Sequence, residues 1–416
     1  MASSPGSERV SHVVRRLGIG ARPETVEGAG DVAAALAAAL DLSAPAATPP
    51  ELAPPADLDE ARRVETIYEP FGWWLDQMAH GARPIEERLV WFWHDHFATS
   101  LVKVRAPYLV WNQHLLLRRH ATGSFEELLR GMVRDPAMLV YLDGITNSRD
   151  ARNENFGREC LELFTMGRGH YTQEDVVAAS RAFSGWVVNV PGRRFTRSDL
   201  PLWSSFLAPL RFDDGPKTLL GVTGRLDVDG ALDVILDHPA TPRRIAAKLY
   251  EELVGLAPDD GTVDRLGEAF GRDYRVMPLV EAIVGDPAFT SDEAFRAKVR
   301  TPVEKAVALL QAVPVRVDAL RQVGDALRRI GYVPFAPPNV AGFPKGERLL
   351  GPHTLVHAFD LMAAVSERIP ALGVDELFGR FGILEVTDRS RRVVEAEGDP
   401  LRRVALVLGS PELAVT

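Results

Sequence analysis

Three clusters in the sequence carry side chains able to do chemistry. The first is His94-Asp95-His96. Two histidines around one residue make a metal-ligand spacing on a strand or loop, but on a helix residues two apart point about 200° away from each other. Ile85, Leu89, Phe92, Trp93 and His96 recur at the interval of one helical face. The spacing therefore predicts a helix whose two histidines do not share a metal, with His96 on the core face and His94 nearer Val90 and Trp91. His96 is then either a core histidine satisfied by one hydrogen bond or an acid/base or ligand lining a polar pocket.

The second cluster is Asn153-Glu-Asn-Phe-Gly-Arg-Glu-Cys-Leu-Glu162. On a helix Asn155, Glu159 and Glu162 align within about 60°, with Arg158 beside them. Two carboxylates three apart can share a metal or a proton, and an adjacent arginine can grip a carboxylate or phosphate with two prongs. The alternative is the wet face of an amphipathic helix, with Glu154–Arg158 and Arg158–Glu162 ion pairs. The third cluster is His353, His357 and Asp360, which share a helix face and could hold zinc or iron, although no general-base glutamate of the zincin kind accompanies them. Lys103, Asp143, Asn147 and Lys217 stand at the edges of predicted elements, where site residues often lie. With Tyr171 and Asn339, the residues Lys103, Asp143 and Lys217 are the candidates for substrate contacts. Trp73, Trp74, Trp91, Trp93 and Trp111 read as core.

Helices must position these residues. Pro84 suits a first helical turn. Ser124 with Glu127, and Thr172 with Asp175, mark helix starts of the capping-box kind, and residues 31–41 form an Ala/Leu helix behind an Asp. Further helices are expected over about 229–256, 261–286, 301–313, 353–367 and 396–408. Residues 43–56 read as a Pro/Ala-rich linker and 186–222 as an irregular or β-ribbon insertion. The expected fold is all-α: a flexible tail at 1–11, then one helical domain over 12–416.

The bulk properties exclude more than they assign. A net charge of −9 disfavours nucleic acid and anionic lipid. The single cysteine, Cys160, rules out an internal disulfide or a multi-cysteine metal site. No apolar run is long enough for a membrane span. The first residues lack an apolar signal core and a cleavage site, so a cytoplasmic location is expected. Dinucleotide, Walker, hydrolase-elbow, zincin and Cys-x-x-Cys motifs are all missing, and no cofactor is indicated.

Several stretches together resemble the domain-of-unknown-function 1800 family: HVVRRLGIG (12–20), RLVWFWHDHFATSLVKVR (88–105), DPAMLVYLDGITN (135–147) and NENFGRECLELFTMGRGHYTQEDVVAASRAFSGW (153–186). In order, DDGPKTLLGVTG (213–224), HPATPRRIAAKLYEELV (238–254), RTPVEKAVALL (300–310) and PPNVAGFPKG (337–346) continue the match. The resemblance implies a mainly helical fold and a bacterial source, but no known reaction. It implies a polar signature on His96, Asn155, Arg158, Glu159 and Glu162, and a family often exported and often encoded beside sulfatase-like or phosphatase-like proteins. Where the family usually has a histidine this chain has Phe212, and where it usually has a tryptophan in the late loop this chain has Phe343. Two readings follow: an enzyme with a His/Asn/Arg/Glu pocket, acting on a small molecule of unassigned class, or a non-catalytic partner of a sulfatase-like neighbour.

Overall fold

Pro84 opens a helix in which nearly every side chain is buried, apolar and charged alike. A helix apolar on all sides belongs in the middle of a protein rather than at its surface, and this one is the axis of the fold. In the computed structural model, which describes residues 5–20, 22–351, 353–365, 370 and 372–416, the chain is mainly helical. The first half supplies α1 (Pro5–Leu17), α2 (Tyr68–His80), the axial α3 (Pro84–His96), one-turn α4 (Leu101–Val104), α5 (Pro107–His120) and α6 (Phe125–Arg134). Then come α7 (Asn155–Glu159), which widens into a π-helical turn over Cys160–Phe164, and α8 (Gln173–Ala182). The second half supplies α9 (Ala240–Val254), α10 (Pro302–Ala312), α11 (Ala319–Ile330) and α12 (His353–Met362), among other helices.

The start signals work through hydrogen bonds. Thr172 and Asp175 form both halves of a capping box at α8, and Thr301 and Glu304 do the same at α10. Ser124 accepts from the Glu127 amide at α6, but Glu127 pairs with His120 at 3.3 Å instead of returning the bond. The insertion holds two short antiparallel hairpins, β1 (Trp186–Val188) with β2 (Ser205–Leu207) and β3 (Lys217–Leu219) with β4 (Val222–Gly224).

Several boundaries differ from the sequence reading. Residues 229–256 form two helices, Val228–Asp237 and α9, because Pro239 drives His238 into an extended conformation. Residues 261–286 also divide, into Asp260–Phe270 and Val276–Val284, with Tyr274 left-handed between them. The sequence reading passed over α11, whose buried Val323, Ala326 and Leu327 face α2 and which ends on Gly331 at φ 75°. The stretch 1–11 read as a tail is helical from Pro5, with Val10 and Ser11 buried; its first four residues lie outside the described ones. The helix expected over 353–367 ends at Met362, and positions 366–367 lie outside the described residues. Among the described residues, no helix is long and apolar enough to cross a membrane.

The core gathers around α3. Trp74, Trp91, Trp93 and Trp111 are buried, and Trp93 stacks on Phe125. Leu89, fully buried, contributes about 1.5–3 kcal/mol from burial alone. The charges that α3 carries inside are all matched: Glu87 takes a two-pronged grip from Arg118 at 2.6 and 2.8 Å, and a Trp74 indole bond at 3.1 Å.

Candidate functional site

Three successive side chains at the end of α3 each hold a different part of the chain. His94 Nε2 accepts the Phe335 N–H at 3.0 Å. Asp95 accepts the Phe343 N–H at 2.7 Å through Oδ1 and pairs with Lys345 at 2.6 Å through Oδ2. His96 bonds Phe164 O at 3.1 Å through Nε2 and Lys248 Nζ at 2.7 Å through Nδ1. A carbonyl oxygen only accepts, so Nε2 carries the His96 hydrogen and Nδ1 is the bare acceptor for the lysine.

The electrostatics follow from burial. Burial drives the His94 pKa down to about 4. His96 falls well below its ordinary value, through burial first and the positive charge of Lys248 second. Lys248, on α9, is pushed down to about 7, chiefly by burial and then by the charges of Lys345 and Arg244, with Asp95 and Glu251 opposing. The His96–Lys248 pair is thus a neutral imidazole facing an amine that gains and loses its proton near neutrality.

That amine lines a cavity of about 500 Å³, walled by Trp91, Asp95, Glu251, Tyr332 and Lys345 among others. A buried ionic cluster adjoins the cavity, and two members of that cluster, Glu252 and Lys298, line the cavity as well. Arg88 donates to Glu304 at 2.6 Å and Glu252 at 3.2 Å, and Lys298 pairs with the same two carboxylates at 3.2 and 2.5 Å. Arg88 also donates to Gly18 O and, at 3.0 Å, to Arg15 O, which ties α1 to the same point. Burial raises the Glu304 carboxyl, but Lys298 and Arg88 outweigh it and hold the group far below the usual range.

The Asn155–Glu162 cluster is built differently. Asn155 donates to Leu142 O at 3.1 Å and so fastens the start of α7 to the turn after Tyr141. Arg158 is two-fifths exposed and bonds Gln173 at 2.8 Å and Glu154 at 3.4 Å. It is a surface residue and not a buried clamp among Glu154, Glu159 and Glu162. Glu162 bonds Arg168 at 2.5 Å and the Tyr171 hydroxyl at 2.9 Å. Burial raises its carboxyl, but those two hydrogen bonds win and hold it below the ordinary range. The Glu159 carboxyl is raised, by partial burial and then by the charge of Glu162. Both ring nitrogens of His96 are committed elsewhere, so neither glutamate bonds it. The two regions meet through Arg244, one turn before Lys248 on α9, whose charge acts on His96 and Lys248 and which feels Glu162. Its Nε has no hydrogen-bond partner among the described residues.

The remaining candidates are dispersed. Lys103 and Asp143 pair at 2.8 Å on the surface. Lys217 is buried, donates to Asp213 O at 2.6 Å and Gly215 O at 2.9 Å, and lies over the Phe212 ring. Asn339 caps its own loop by accepting the Ala341 N–H. The His353 and His357 rings lie 5.0 Å apart, but Asp360 pairs with Arg329 at 2.9 Å. Among the described residues, no group of three His, Cys, Asp or Glu side chains is placed to hold a metal. Phe343 is buried and stacks on both Trp91 and Tyr332, so an aromatic ring still fills that place in the loop. The sequence reading missed Lys248, Lys345 and the Arg88 cluster. The available signal was periodicity: Lys248 and Glu252 interrupt a face of α9 otherwise made of Thr241, Ile245 and Leu249.

A family model described as "Protein of unknown function (DUF1800)" matches residues 12–415. No curated protein and no solved structure matches the chain.

Proposed function

The chain belongs to the DUF1800 family of proteins of unknown function, and on that premise we propose that it is an enzyme whose general base is the Lys248 amine. The observation that carries this reading is the 2.7 Å hydrogen bond between Lys248 Nζ and His96 Nδ1 at the wall of a cavity that charged side chains line. An amine that donates one N–H to a bare ring nitrogen is fixed in direction. When neutral, it has a lone pair to offer to a substrate proton. A base poised near the working pH is the most effective kind, and a buried lysine reaches that range readily. His96 orients the amine, and the carbonyl of Phe164 fixes the His96 tautomer. Lys345, half-exposed, has ammonium hydrogens left over from its Asp95 pair and can hold a polar or anionic part of a small substrate. Glu162 stands beyond Arg244 and contributes charge rather than contact, held by Arg168 and the neutral Tyr171 hydroxyl.

The test is pulse acylation with acetic anhydride across pH, with each lysine quantified by peptide mass spectrometry. Lys248 is expected to reach half its maximal reactivity near pH 7, far below the value of about 10.4 for free lysine. The rival reading, a non-catalytic partner of a sulfatase-like protein, requires no reactive amine. A Lys248 that stays unlabelled in the folded protein, or that titrates with the surface lysines, would overturn the proposal.

A further inference from the structure

A second cavity lies away from Lys248, between α2, α4, α11 and the 333–336 loop. Its volume is about 1070 Å³, at the upper end of the roughly 300–1,000 Å³ of small-molecule sites. The floor is apolar, with buried Ile67, Phe71 and Phe335 and part-buried Leu320. Of the exposed large apolar side chains among the described residues, Val64, Tyr68, Val102 and Val317 all line this one cleft. Exposed apolar surface concentrated in this way marks a binding groove more often than it marks chance.

The rim carries an excess of positive charge, with three arginines against one glutamate, Glu69, outside any ion pair among the described residues. Arg62, Arg105 and Arg321 line the cleft, and none of them makes an ion pair among the described residues. The lining Asp325 is already paired with Arg328 at 2.9 Å, and Asp318 with Arg316 at 3.2 Å. In a chain of net charge −9, three uncommitted guanidinium groups at one apolar mouth form a local exception. The backbone is also unusual there. Arg105 (φ 56°) and Phe335 (φ 67°) both hold left-handed conformations that non-glycine residues rarely adopt, and both line the cleft. Such outliers cluster at ligand-binding positions. The Phe335 carbonyl accepts the Leu101 N–H at 2.8 Å, so the floor and the α4 wall are one unit.

We propose that this cleft binds a single-chain anionic amphiphile, a long-chain carboxylate, with its alkyl chain on Ile67, Phe71, Leu320 and Phe335 and its head group held by the rim arginines. The floor supplies apolar burial, and the guanidinium groups supply charge-assisted hydrogen bonds to a carboxylate. The site is independent of the Lys248 amine, so either assignment can fail without the other.

The experiment is calorimetric titration of the full chain with sodium dodecanoate below its micelle concentration, with dodecyltrimethylammonium and decyl maltoside as cationic and neutral controls. Saturable binding of one dodecanoate per chain is expected, with no saturable binding of the cation. The rim variant Arg105→Glu/Arg321→Glu, which alters only exposed side chains, should bind about tenfold more weakly or worse. Leu320→Trp should block the floor, and a melting curve shows whether that variant is folded; the rim variant decides the matter if it is not. Absence of saturable dodecanoate binding, undiminished binding by the rim variant, or equal binding of the cationic amphiphile would each overturn the proposal. So would a concentration-dependent dimer that Val317→Asp abolishes, because the cleft would then be an interface between copies of this chain.

Discussion

The end of α3 and the α7 segment each carry a polar run, and they use their polar groups in opposite ways. His94, Asp95 and His96 are all buried, and each reaches a separate element: the 335 loop, the 343–345 loop and α9. Arg158, Glu154 and Gln173 form a local network at the surface, while Glu162 closes onto Arg168 and Tyr171 a few residues on. Side chains that bond distant parts of the chain in a water-poor setting acquire shifted proton affinities and fixed directions. Side chains of the α7 segment bond near neighbours in the chain, and their shifts oppose one another, with Glu159 raised and Glu162 lowered. This difference, and not the residue types, is the ground for proposing Lys248 as the reactive group.

The contrast can be broken in steps. The largest effect is expected behind the α3 site. Arg88→Ala leaves Glu252 and Glu304 buried with Lys298 as their remaining cation, and should cost about 3–5 kcal/mol in urea unfolding. Asp95→Ala comes next, because it orphans the buried Phe343 N–H and unpairs Lys345. A loss of about 1–3 kcal/mol is expected, with faster amide exchange confined to the 343–346 loop.

Acid separates the regions again. His94, His96 and His114 are neutral in the fold, with proton affinities depressed first of all by burial. The unfolded chain takes up their protons below about pH 6.5, so stability is full above that pH and falls as pH drops. The loss is about 1.4 kcal/mol per histidine between pH 7.5 and pH 5.5. His114 tests this cleanly. Neither of its nitrogens has a hydrogen-bond partner among the described residues, and its ring lies between Trp74 and Trp111. His114→Phe should be at least as stable as the parent at pH 7.5 and should lose about 1.4 kcal/mol less by pH 5.5, as read from paired denaturation curves. The smallest effect is expected at α7. Arg158→Ala removes one long, partly exposed ion pair and a bond to Gln173, and should shift stability by no more than about 1 kcal/mol.

Periodicity made much of the fold legible. The α3 face, the Thr172 start and the insertion near 186–222 follow from spacing and capping chemistry that act within a few residues. The division at His238-Pro239 was written in the proline, and α11 in its buried stripe and its terminal Gly331, so those boundaries were within reach. The site was less accessible. Helical geometry shows which residues share a face, but it cannot show which polar face turns inward, because that depends on partners more than a hundred positions away. Asp95 meets Lys345 and His96 meets Lys248 across such distances. The carboxylates of this segment had the right types and alignment, yet Glu162 closes onto Arg168 and Tyr171 beside it and Glu159 is only partly buried, so neither bonds His96.

The most direct test of the central claim is long-range proton–nitrogen correlation of the histidine side chains between pH 8 and pH 5, on the intact protein and on Lys248→Met. The predicted result has His96 neutral throughout, protonated on Nε2, with its Nδ1 resonance stepping near pH 7 as Lys248 titrates, and with that step absent in Lys248→Met. A His96 that titrates itself near pH 6.5, or a step that survives in Lys248→Met, would contradict the pairing on which the assignment of the reactive amine rests.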